Sequence, residues 1–130
     1  MFFTPPPITT AQKTRVLVFA VSGPIEAGVV DVPIMFPTKG RIIQVTASCH
    51  VPSSTLVSLS VEKTTETDFA ANTGWQSITI SPILLQGGSK VSDPATPRGD
   101  PIMERDYFRL NILDEVAGLE GLSVEVVILV

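Results

Sequence analysis

Cys49 and His50 stand side by side, and each is the only residue of its type in the 130-residue chain. A thiol beside an imidazole suggests a cysteine hydrolase, in which the base must reach the nucleophile. The surrounding segment argues against that chemistry. Between Arg41 and His50 the residues alternate, with Ile43, Val45, Ala47 and Cys49 on one face and Gln44, Thr46, Ser48 and His50 on the other, the period of a half-buried strand. Consecutive strand residues point to opposite faces, so a core-facing Cys49 sends His50 outward. Cys49 is therefore expected as a small core residue and His50 as a surface or interface residue. One cysteine cannot close an internal disulfide, and one histidine cannot build a multi-histidine metal site.

The remaining chemistry-bearing residues fare no better. Asp93, Asp100, Glu104 and Asp106 fall between Gln86 and Asp106, a stretch punctuated by Gly87, Gly88, Pro94, Pro97, Gly99 and Pro101. Their spacing is not that of a calcium loop, and the stretch predicts a long, solvated loop of the length that is often functional. A carboxylate pair for sugar hydrolysis is defined by its separation in space, and nothing in the spacing favours one. Arg98-Gly99-Asp100 spells an integrin-binding tripeptide, which chance explains better. No glycine-rich phosphate cradle or dinucleotide fingerprint is present. The reading is non-enzymatic, with no catalytic, cofactor-binding or metal-ligating residues. A small enzyme on a jelly-roll scaffold would need a pocket of converging ionisable groups.

Composition narrows the partners. The net charge is -4 and the isoelectric point about 4.8, the wrong sign for affinity drawn from phosphates, so no nucleic acid is expected. No apolar run approaches the roughly 18 residues of a membrane span, so no membrane partner is expected either. Met1 to Pro7 lacks the basic and apolar regions of a signal peptide and reads as part of a mature protein made in the cytoplasm of its producing cell. Hydrophobic residues make up 44% and charged residues 17%, with a mean hydropathy of +0.35. That apolar surplus, supplied mainly by Val, Ile, Leu and Ala, has to be covered.

The elements that would position these residues are short β-like runs separated by Gly, Pro, Ser and Asn, the rhythm of a sandwich or barrel. They are Arg15 to Ser22, Val29 to Met35 with Pro33 marking an edge, Arg41 to His50, Val57 to Glu62, Trp75 to Ile80, Ile83 to Leu85, Tyr107 to Leu113 and Leu122 to Val130. Pro52 to Thr55 reads as a hairpin connection, and at most a turn or two of helix is expected, near Asp68 to Asn72. The fold class is all-β, an antiparallel β-sandwich or jelly-roll-like domain over 15–130, preceded by an extended N-terminal arm over 1–14. Pro5, Pro6 and Pro7 favour a polyproline-like arm, and Phe2, Phe3 and Ile8 are its apolar anchors.

Two strands break the rule of one apolar and one polar face. Val16 to Val21 and Val126 to Val130 are apolar on both sides, and a one-domain sandwich has one inside. Burying their second faces requires either an N-terminal segment folded over them or another subunit, and oligomerisation is the preferred reading. The arm residues Phe2, Phe3, Pro5, Pro6, Pro7 and Ile8, and the strand residues Leu17, Phe19, Val127 and Leu129, are the expected interface.

From Val32 onward several segments carry a further likeness: Val32-Pro33-Ile34-Met35-Phe36-Pro37, Gly40 to Ser48, Leu56 to Glu62, Tyr107 to Leu113 and Gly118 to Ile128. Their order resembles a β-sandwich module of tailed-bacteriophage virion proteins, found in head decorations or cements, head fibres and tail-tip components. The chain departs from that pattern in Gln86 to Asp106 and in its added N-terminal strand and arm. The resemblance implies a virion protein assembled in the host cytoplasm, a homotrimer or other symmetric oligomer whose partners are the major capsid protein or other virion subunits. A capsid decoration protein is the first expectation. The alternative is a tail, baseplate or fibre component that binds a receptor, with Gln86 to Asp106 meeting a glycan or cell surface.

Overall fold

The computed structural model describes residues 13–30 and 33–130. Ten strands and one short helix follow in order: β1 Thr14–Pro24, β2 Gly28–Val29, β3 Ile34–Phe36, β4 Gly40–Val51, β5 Val57–Thr64, α1 Glu66–Ala70, β6 Gln76–Ser77, β7 Ile83–Leu85, β8 Pro101–Ile102, β9 Asp106–Ile112 and β10 Glu120–Leu129. They form two antiparallel sheets. Sheet A runs β1-β10-β4-β8, and sheet B runs β2-β9-β5-β6 with β3 also on β9 and β7 also on β5. This is the expected all-β sandwich.

Period-2 patterning places the core. In β9, Asp106, Phe108, Leu110 and Ile112 are buried and the residues between them half-buried. In β10, Leu122, Val124, Val126 and Ile128 face inward. These pack with Phe19, Val45, Ala47, Leu59 and Val61 into one hydrophobic cluster. Phe36 and Phe108 meet edge to face at 6.4 Å, a favoured aromatic geometry.

Four expectations are corrected. First, Ile43 does not face the core. Val127 pairs with Gln44 but Ile128 pairs with Ile42, so Ile43 is the extra residue of a β-bulge, which reverses parity beyond it. Ile42 is 6% exposed and Ile43 43%. Ile42→Ala is therefore expected to lower stability by about 2–5 kcal/mol, and Ile43→Ala by less than about 1 kcal/mol. Urea unfolding midpoints of the two variants compare them directly.

Second, Pro52 to Thr55 is not a hairpin. β4 lies in sheet A and β5 in sheet B, so the segment crosses between sheets. It runs beside the β9–β10 crossover, to which it is tied by Ser54 N donating to Ala117 O at 3.1 Å and Ala117 N donating to the Ser53 hydroxyl at 3.2 Å. Third, the run from Val29 to Met35 gives two short strands, β2 and β3, both on the same edge of β9. The edge position inferred from Pro33 stands.

Fourth, Gln86 to Asp106 is not a free loop. Ser92 N and Ala95 N donate to the carbonyls of Ala47 and Val45, and Cys49 N donates to Lys90 O, each at 2.9 Å. β8 then pairs with Gly40 and Arg41. The segment closes the edge of β4, which would otherwise present unpaired backbone groups. Asp106, expected in solvent, is 1% exposed.

Candidate functional site

The outward faces of the two sheets differ. On sheet B, Tyr107 and Arg109 of β9 point away from the core, Tyr107 covered by α1 and Arg109 by Trp75. Phe69 of α1 stacks on Tyr107 at 3.9 Å and 2° and meets Trp75 edge to face at 6.1 Å. The Arg109 guanidinium lies 4.2 Å from the centre of the Trp75 ring, and its Nε donates to Glu62 Oε1 at 2.7 Å. The helix is held by the Thr65 hydroxyl, which accepts from Asp68 N at 3.2 Å, an N-cap. Around Tyr107 and Arg109 this face is finished by the chain's own residues, while Val29, Met35 and Leu84 on its short outer strands stay exposed.

Sheet A has no such cover among the described residues. On β1, Val16 is 55% and Val18 44% exposed. Val16 lies opposite Val127, which is half-buried. One rung further, Leu129 lies opposite Thr14, and the bulge turns Ile43 of β4 outward beside them. Val16, Val18, Val127, Leu129 and Ile43 thus make an apolar area across three strands, bordered by the exposed Glu125, Gln44 and Arg41. The bulge adds a residue that strict alternation would have hidden.

The strand residues expected at an interface divide accordingly. Val127 and Leu129 lie on the outward face, half-buried. Leu17 and Phe19 do not: at 8% and 3% exposure they belong to the core, and their neighbours Val16, Val18 and Ala20 face out. A run apolar on both sides carries no parity signal, so its inner and outer residues could not be told apart. Phe2, Phe3, Pro5, Pro6, Pro7 and Ile8 lie outside the described residues. The chain reaches β1 at Lys13, whose carbonyl accepts from Val130 N at 2.8 Å, so residues 1–12 join the domain at the end of sheet A that carries Leu129.

β1 is also an open edge. It pairs with β10 alone among the described strands, and Val16 to Ser22 contains no charge, proline or glycine, the devices that usually blunt such edges. The outer edges of sheet B are strands of two or three residues.

Cys49 and His50 diverge as expected. Cys49 is half-buried against the core, its thiol donating to Ser89 O at 3.7 Å, and His50 is exposed. Burial pushes the thiol above its ordinary pKa, with the nearby Lys90 ammonium opposing the shift. A protonated thiol is a poor nucleophile. No helix of the described residues is long and apolar enough to cross a membrane.

Neither a protein-family model nor a curated protein sequence matches the chain. Among solved structures, a chain of the cyanophage Pam1 capsid asymmetric unit superposes on all of this chain and on 94% of its own length, with a TM-score of 0.53 and 15% sequence identity. The two chains share a fold.

Proposed function

We propose that the protein is a structural component of a phage virion, a capsid decoration or cement protein that binds the assembled head. The observation that carries this reading is the apolar face of sheet A, which no described residue covers, centred on Val16 and Val127 and flanked by β1, an open edge among the described strands. The likeness to a chain of a capsid asymmetric unit supports it, because it covers all of this chain and 94% of the other. A domain of comparable size to one in an assembled shell, with one face unfinished, suits a subunit completed by its neighbours.

The stabilising action needs no chemistry. A protein that binds the assembled lattice better than free subunits shifts assembly by mass action. Lys13 and Thr14 belong to the sandwich, so residues 1–12 serve as the anchoring arm, with Phe2, Phe3 and Ile8 as its apolar contacts. The proline run lowers the entropy lost on docking, since a polyproline segment is already extended. The oligomer is a homotrimer on the particle surface, with the major capsid protein as the partner beneath it.

Adding the protein back to undecorated particles tests this. Full-length chain is expected to bind and to raise the temperature of particle disruption. Chain lacking residues 1–12 is expected to bind at least tenfold more weakly. Equal binding and protection by the shortened chain would remove the arm from the mechanism.

A further inference from the structure

Where the sheets part at one end of the sandwich they leave a cleft of about 190 Å³. Its floor is apolar, formed by the buried Ile42 of β4 and Ile78. The walls carry polar groups from three separate segments: Asp68 of α1, Gln76 of β6, and Arg98 and Asp100 from the segment that closes the β4 edge. Lys63 also reaches the cleft, but its ammonium is held by Asp106 at 3.0 Å. Asp68, Arg98 and Asp100 form no ion pair among the described residues.

The backbone holds these groups in place. Arg98 N donates to Ile78 O at 2.8 Å, and Thr79 bridges to Pro97, so the Arg98-Gly99-Asp100 turn is tied to the cleft wall. Opposite it, Gly74 has φ +76°, and a Cβ there would lie 2.7 Å from Asp68 Oδ2 and 3.0 Å from Thr64 Oγ1. Glycine is what lets this turn close against the Asp68 carboxylate.

The lining chooses between ligand classes. An anion such as phosphate meets two carboxylates. A simple cation meets the Arg98 guanidinium. A neutral polyol suits both, because its hydroxyls donate to Asp68 and Asp100 and accept from Arg98 and Gln76. One face of a sugar ring is C–H, and it can rest on Ile42 and Ile78. The volume fits: it somewhat exceeds the roughly 150 Å³ of a cavity that accepts benzene, so one substituted six-membered ring is accommodated.

The cleft is also the pocket of converging ionisable groups that an enzyme would need. It holds no thiol or imidazole, and two of its hydroxyls are engaged with backbone carbonyls, Thr64 with Thr73 O at 2.8 Å and Ser77 with Thr79 O at 3.2 Å. We infer that this cleft is a carbohydrate site that takes one neutral pyranose unit of a glycan. The inference does not depend on the decoration reading, since none of these residues lies on the outward face of sheet A.

The test is a titration of the ¹⁵N-labelled full chain with glucose, galactose, mannose and N-acetylglucosamine, with sodium phosphate and lysine amide as charged controls. At least one sugar is expected to shift the amide signals of Gly74, Gln76, Ser77 and Gly99, with a dissociation constant on the order of 1 mM, as befits a ligand of that size. Arg98→Ala and Asp100→Asn, both at exposed positions, are expected to weaken the response at least tenfold and leave distant signals in place. The inference is overturned by silence from all four sugars, by a response to the charged controls alone, or by sugar binding that survives both substitutions.

Discussion

Asp106→Ala is expected to destabilise the domain by about 3–5 kcal/mol, the range for removing one partner of a buried ion pair. The carboxylate is 1% exposed and accepts from Lys63 Nζ at 3.0 Å and from Met103 N at 2.9 Å. Lys63 lies opposite Phe108 in the β5–β9 register, on the inward side of sheet B. Without Asp106 its ammonium keeps the desolvation penalty and loses the compensating charge. The Met103 N–H is orphaned as well, and the Met103–Asp106 turn, which includes Arg105 at φ +68°, loses its clasp at the start of β9. Against a typical domain stability of about 5–15 kcal/mol, this is a large fraction. Urea unfolding of Asp106→Ala, Asp106→Asn and the double variant Lys63→Met/Asp106→Leu separates the contributions. Asn retains an acceptor for Met103 and should lose less, and the double variant should recover much of the loss. A change below about 1 kcal/mol in Asp106→Ala would show that the pair does not anchor the turn.

The second large effect belongs to assembly. Val16→Lys/Val18→Lys is expected to leave folding within about 1 kcal/mol of the parent, because both side chains already face solvent. The same variant is expected to lose particle binding by more than about 100-fold. Seating an apolar face that now carries two ammonium groups means burying unpaired charge, a penalty of several kcal/mol, and about 1.4 kcal/mol is a factor of ten. Leu17→Lys is the contrasting control, since its side chain is in the core and the substitution should unfold the domain instead. If the double variant binds undecorated particles as tightly as the parent, sheet A is not the docking face.

Both predictions rest on positions that were unequally visible beforehand. β5 and β9 could be read because alternation with period 2 is a local property, and Phe108, Leu110 and Ile112 fell on one face as expected. The outward residues of β1 could not be read, since Val16-Leu17-Val18-Phe19 is apolar at every step and either parity is consistent with it. The bulge at Ile43 was hidden for another reason: it exists only relative to the rungs of β10. Likewise, whether Pro52 to Thr55 turns back within a sheet or crosses to the other depends on distant partners, which the turn residues do not encode.

The cleft illustrates the same limit for function. Arg98-Gly99-Asp100 stood out as a tripeptide on a supposed free loop, but its structural setting is the lip of a cavity shared with Asp68 and Gln76. Backbone hydrogen bonds from Ser92 and Ala95 to β4 and from Arg98 to Ile78 put it there. Backbone groups are common to all residues, so such pairing leaves no periodic trace in side-chain types.

The Lys13–Val130 hydrogen bond also has a mechanical meaning. The chain enters β1 and leaves β10 at the same end of neighbouring antiparallel strands, so tension applied through Lys13 and Val130 falls on one rung at a time. The first to yield is Thr14 against Leu129, and the seam then opens like a zipper, without the collective resistance of strands sheared along their length. A load passed through residues 1–12 and directed across the sheet, with the body of the domain held by its neighbours, opens β1 from that same end. The attachment that resists swelling of a shell should therefore come from the breadth of the sheet A face, with the arm acting as a compliant tether.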